Sequence, residues 1–227
     1  MSPIEMHNAF LTEIKISGRQ KGSRIESFDI FYYLNKAQDE WLKEKYDQGF
    51  EVSQALVDDL RVFLKKNIEL DALYAGNNSR FNKYYVDYVE FPEDYLHTIS
   101  VRSKVLFSFQ PLTFTVDDSS RIPNEQTKSA IYFNKFSQSD DIYKLLSDPF
   151  NKTKHSNPLM DINNSRINIY TDDKFIVDKV FLNYLRTPKR ISVETSQACE
   201  LPEIFHTEIV EQAVGLYAKF LNSQEDN

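Results

Sequence analysis

The sequence predicts an α+β fold, and three observations carry that expectation. Ile30, Leu34, Ala37 and Trp41 recur at helical spacing near the N-terminus. Runs such as KYYVDYVEF and KFIVDKVFLNYLR alternate and are rich in β-branched and aromatic residues, as strands are. A second helical stripe closes the chain. The expected architecture is an N-terminal helical hairpin and a C-terminal helix packed together, carrying an antiparallel sheet with a long polar loop insertion. The 227 residues fit one domain, 1–227, and 41% apolar content suffices for a core.

The elements follow in order. Residues 4–16, within an arm spanning 1–22, form a mixed segment too short to stand alone, read as an arm or an annealed helix. The helical hairpin covers 23–72. Ser23 with Glu26 has capping-box spacing, and Ser27 with Asp29 offers a second cap. The first helix runs to about Lys45 and ends at DQGF, where Gly49 is free to turn. Ser53 caps a second helix whose Leu56, Leu60, Phe63 and Leu64 form one stripe running to about Leu70. The sheet spans 84–186, with strands expected at KYYVDYVEF, at the alternating run Ile99, Val101, Val105 and Phe107, and at LTFTV and SAIYF. RINIYT and KFIVDKVFLNYLR are read as two strands joined in a hairpin at TDD. The insertion at about 110–165 is rich in Ser, Asp, Asn, Lys and Pro; SQSDDIYKLLSDPF is a short helix stopped by Pro149, and NKTKHSNP is a loop. The last helix, 202–222, begins with Pro202 at its first position and carries the stripe Phe205, Ile209, Ala213, Leu216 and Phe220.

Charge and composition narrow the function. The formal net charge is −7, and no basic run is longer than a pair such as Lys65–Lys66. Duplex DNA binding needs Lys and Arg massed on one face, so it is not expected. One cysteine cannot close an internal disulfide. No apolar run approaches the roughly 20 residues that span a bilayer, and the N-terminus lacks the apolar segment of a secretion signal. The expectation is a soluble protein made in a cytoplasm, without membrane contact.

Candidate chemistry is sparse. Cys199 lies just ahead of the last helix, with His206 seven residues on. A thiolate nucleophile needs a base within hydrogen-bond reach, and a residue one and a half turns up that helix is poorly placed to supply it. A small residue packed at a corner is the favoured reading of Cys199. His7, His97, His155 and His206 stand singly, without zinc-ligand spacing. The pairs Asp58–Asp59, Asp117–Asp118, Asp140–Asp141 and Asp172–Asp173 lack calcium-loop spacing and read as solvated faces or turns. Five glycines leave little material for phosphate loops. No catalytic, cofactor or metal-binding residue is therefore assigned. Thirteen Tyr and seventeen Phe exceed what core spacing needs, and the surplus suits protein–protein contact. The candidate interface residues are Phe133, Phe136, Tyr143, Leu145, Leu146 and Phe150, apolar side chains set among polar ones in the insertion and expected to be clamped between copies.

Two stretches together resemble a known family. FPEDYLHTISV is similar to the DDYL motif at which the chain enters the sheet in head-to-tail adaptor proteins of short-tailed phages, the tubular tail protein A type. VFLNYLR with CELPEIFHTEIVEQAVGLYAKFLN is similar to their C-terminal strand and helix start. IFYYLNKAQDEWLKEKY, DPFNKTKHSNPL and CELPEIFHTEIVEQAV look closer still to ring proteins in the tails of crAss-like phages of gut Bacteroidetes. The resemblance covers about residues 28–222. It implies a virion structural protein without catalytic residues: a connector ring, usually of twelve copies, set beneath the portal protein and beside other tail ring or nozzle proteins, with DNA passing through its lumen unbound. It also makes Asp94, Tyr95, Leu96, Glu200, Leu201, Pro202 and Glu203 corner-setting residues. The long polar middle departs from the shorter podovirus adaptors. Two alternatives from other classes stand beside this reading: a thiol-dependent hydrolase using Cys199, and a monomeric partner-binding protein.

Overall fold

A computed structural model describes residues 1–16, 25–47, 60–77, 84–117, 120–163 and 165–225. The fold is α+β, with antiparallel sheets, N-terminal helices and a C-terminal helix. The sequence reads as one domain, whereas the structure comprises two compact units: Met1–Leu64 with Thr187–Asn227, and Lys65–Arg186.

The first unit is helical. Of the two readings of this segment, arm or annealed helix, the structure shows the helix: α1 (Pro3–Ile16), with Met6, Phe10 and Ile14 buried along one face. Its start is a reciprocal capping box: the Ser2 N–H donates to Glu5 at 2.7 Å and the Glu5 N–H to Ser2 Oγ at 3.3 Å. α2 (Ser27–Asp47) buries Ile30, Leu34, Ala37 and Trp41, as their spacing requires. The C-terminal helix, α4 (His206–Glu225), packs against both, with Tyr217 edge-on to Phe10 and to Tyr33.

Two helix expectations need correction. Pro202 has an extended ψ of 144° and is the N-cap of a 3-10 turn, Glu203–Phe205, so the α-helix starts at His206. That turn shifts the phase of the stripe. Ile209, Val210, Ala213, Val214, Tyr217 and Ala218 are buried, Leu216 is half-buried and Phe220 exposed. The second hairpin helix does not reach Leu70 either. Helix ends at Leu60, Arg61–Phe63 is a 3-10 turn, and Leu64–Asp71 is strand β1. LKKNIELD gains a ladder against β11 (Phe175–Arg186), and that tertiary pairing overrides local helix preference. Ser23, Gly49, Ser53 and Leu56 lie outside the described residues.

The second unit holds two sheets and a separate hairpin. The four-stranded sheet runs β1-β11-β4-β7, with β4 at Tyr95–Phe107 and β7 at Lys128–Phe133. The five-stranded sheet runs β2-β3-β10-β9-β8, formed by Leu73–Asn77, Tyr85–Glu90, Arg166–Thr171, Leu159–Asn163 and Lys135–Phe136. β5 (Phe114–Asp117) and β6 (Ser120–Pro123) pair only with each other among the named strands. β10 and β11 are both strands but not partners: β10 pairs with β3 and β9, and β11 with β4 and β1. TDD is thus a corner between sheets rather than a hairpin turn, with Asp172 Oδ1 accepting the Lys174 N–H at 2.8 Å. Val89, Ile167 and Ile169 from one sheet and Val101, Val105, Val180 and Leu182 from the other share a single core. The polar insertion between β4 and β10 is folded: it includes β5 to β9 and α3 (Ser139–Ser147). α3 places Ile142 and Leu146 on Leu159 and Tyr170, forming a second small core.

Candidate functional site

The segment that follows β11 is pinned to α2 by two side-chain amides one turn apart. Asn35 donates to the Ile191 carbonyl at 3.1 Å and accepts the Ile191 N–H at 2.7 Å. Gln38, fully buried, donates to the Lys189 carbonyl at 3.2 Å and accepts from the Cys199 thiol at 3.1 Å. Arg190 pairs with Asp39 at 2.6 Å, and Glu200 accepts the Lys189 N–H at 2.8 Å. The amides answer part-buried backbone groups of this segment.

Cys199 and His206 are therefore neighbours in sequence with separate partners. The thiol is buried, which pushes its pKa up, away from the thiolate that a nucleophile requires. Both ring nitrogens of His206 face other groups, Nε2 the Leu201 carbonyl at 2.8 Å and Nδ1 the Met1 amino group at 2.8 Å. A carbonyl only accepts, so Nε2 carries the hydrogen and Nδ1 is the acceptor. Among the described residues no cluster of three His, Cys, Asp or Glu could hold a metal.

The six candidate interface residues divide. Phe133, Phe136 and Phe150 are exposed, Phe150 at 85%. Tyr143 and Leu145 are half-buried, and Leu146 is inside the α3 core. Phe150 is presented on a turn braced by Asp148, which accepts from the Phe150 N–H at 2.9 Å and from Asn151 at 2.7 Å. Those bonds, the one from Asn151 foremost, hold the Asp148 carboxyl below the usual range. Lys135 reaches Asn151 at 3.4 Å, so this turn sits beside β8. Phe109, Val116, Ile122 and Ile131 extend the exposed apolar surface beyond the residues expected from sequence. The helical unit carries an open groove of about 880 Å³ lined by Phe28, Phe31, Tyr32, Asn35 and Val193.

The corner-setting residues take definite roles. Asp94 accepts from Tyr184 Oη at 2.7 Å and pairs with Lys65 at 2.6 Å. Tyr95 stacks on Phe91 at 3.7 Å, whereas Leu96 is exposed rather than packed. Leu201 is buried, and Glu203 is exposed.

No protein-family model matches the chain, and no curated protein matches it. Its own surfaces and buried groups are what speak to function.

One of those groups gives no sign of itself in the sequence. Arg121, on β6, is buried with its guanidinium 4.4–5.0 Å from the rings of Tyr74, Tyr85 and Phe114. Its Nη2 lies 2.9 and 3.0 Å from the two Asp87 oxygens and 2.6 Å from Thr171 Oγ1. Among the described residues Nε and Nη1 have no hydrogen-bond partner, and aromatic faces surround them instead. Burial pushes the Asp87 carboxyl up, and Arg121, the Val177 N–H at 3.0 Å and Thr171 pull against it. Val177 borders a register shift in the β4–β11 ladder, so its N–H can reach Asp87 across to the other sheet. In sequence, SSRIPNE is a short polar run in which one arginine reads as solvated.

Proposed function

We propose that this chain is a virion structural protein, a subunit of a head-to-tail connector ring that joins a portal to the tail of a short-tailed phage around its DNA channel. The observation that supports the reading best is the exposed apolar surface of the insertion. Phe109, Val116, Ile122, Ile131, Phe133, Phe136 and Phe150 all face solvent in the single chain, several on braced turns or strands. Apolar groups fixed in place and left uncovered are what a subunit interface looks like before its neighbour docks. The resemblance of the Asp94–Leu96 and Cys199–Asn222 stretches to phage adaptors adds support, and the net charge of −7 suits a lumen that must not hold DNA. The partners are other copies of the chain, a portal protein and further tail ring or nozzle proteins, and the site of action is the virion.

The test is imaging of the purified chain alone and after co-expression with a portal. Closed rings of countable rotational symmetry are expected. A chain that stays monomeric and never co-purifies with portal overturns the reading. Cys199→Ser should leave assembly intact, whereas a thiol hydrolase would lose its activity in the same variant.

A further inference from the structure

We propose that the β5–β6 arm is exchanged between copies of this chain, Arg121 of one copy filling the pocket of Tyr74, Tyr85, Asp87 and Thr171 on the next. This rests on the ring reading, and it names the contact by which neighbours join.

The arm is built as a detachable piece. Phe107 and Lys128 face each other at the end of the β4–β7 ladder, and the chain between them leaves that ladder and returns to it. At its far end β5 and β6 pair only with each other among the named strands. Two four-residue strands are not stable on their own in water, so the arm needs an anchor elsewhere. Arg121 is that anchor: a planar cation between aromatic faces with a buried carboxylate at its end. The root of the arm is fixed separately, the Ser108 and Leu112 N–H groups donating to the Lys174 and Asp173 carbonyls at 2.9 and 2.7 Å. Motion is thereby confined to the tip beyond Leu112. With its own ladder intact the arm carries Arg121, which faces Val116 four residues beyond Leu112, about 13 Å from that root.

Docking within a copy and docking between copies make the same contacts at the pocket. The balance is set by the connection and by how closely a second copy is held, and a ring holds its neighbours at high effective concentration. The outer side of the arm favours exchange. Ile122, on the face opposite Arg121, is exposed when the arm lies on its own sheet, and between two copies it would gain cover.

Arg121→Lys keeps the cation and places an amine beside Asp87 that a carbodiimide can couple to the carboxyl as an amide, with loss of water. Equal amounts of light- and heavy-isotope protein are mixed as monomers, concentrated to assembly and cross-linked, and the joined peptides are weighed. Exchange predicts that about half of the joined pairs mix isotopes. Pairs of one isotope only, in rings that form normally, overturn exchange while leaving the ring reading standing. Should the introduced amine not couple, the variants Arg121→Glu and Asp87→Arg decide. Each alone mispairs, and exchange predicts that only their mixture assembles. A mixture that behaves as the sum of its parts overturns the proposal.

Discussion

Gln38 shows how one polar side chain can hold a chain segment. Its amide answers both the Lys189 carbonyl and the Cys199 thiol from a fully buried position. Gln38→Ala leaves a carbonyl unpaired beside a cavity and is expected to cost about 2–4 kcal/mol in urea unfolding. Cys199→Ser retains a donor to Gln38 and is expected to cost about 1 kcal/mol or less. Asp172 offers a pH test. Burial raises its pKa above the ordinary carboxyl value, against the pull of the Lys174 N–H. A raised folded-state pKa means that Asp172 favours folding when protonated. That contribution is whole below the ordinary aspartate value of about 4 and is lost as pH rises through the folded-state value. Asp172→Asn keeps the acceptor for Lys174, so its melting temperature relative to the parent should rise between about pH 4 and neutrality and then level off. A constant difference across that range would count against a raised pKa at the half-buried Asp172. Helical spacing makes Ile30, Leu34, Ala37 and Trp41 legible as core in the sequence. Gln38, Asp87 and Arg121 are not legible, because the partners that justify their burial come from distant parts of the chain.

Among the elements, strands with clear alternation are readable, and pairing is not. KYYVDYVEF and KFIVDKVFLNYLR declare themselves, yet nothing in RINIYTDDKFIV distinguishes a hairpin from a corner. The distinction depends on which strands compete for each edge. β1 reads as helix for the same reason, since its ladder with β11 is a long-range gain that local preference cannot anticipate. β2 contains a second long-range signature. Its register against β3 shifts between Tyr74 and Gly76, and Gly76 has φ +117°, a conformation that a side chain resists. Gly76→Ala is expected to lose about 1 kcal/mol or more, although nothing crowds the added methyl. Because Tyr74 precedes this bulge and lines the Arg121 pocket, the same variant should raise hydrogen exchange in the β5–β6 arm. Unchanged protection there would separate the bulge from the pocket.

For the whole molecule, the two ends of the chain build one unit and the middle builds the other. No shift in composition marks Leu64 or Thr187, so the sequence reads as one domain although the helical unit is discontinuous. The charge balance acts at this scale too. With a net charge of −7, binding to duplex DNA at physiological salt is expected to be undetectable by anisotropy titration. Micromolar binding with a steep salt slope would reveal a basic face and remove the case for a passive channel. The corner at TDD has a mechanical consequence. β10 runs into β11 with almost no slack, and both are interior strands, each flanked by two neighbours. Tension along either strand must shear whole ladders at once, which resists far more force than peeling one bond at a time. β7, at the rim, can be unzipped. A pull delivered through the arm at β7 would thus free the rim well before it strained the centre, as in a fuse whose weakest link is set at its edge.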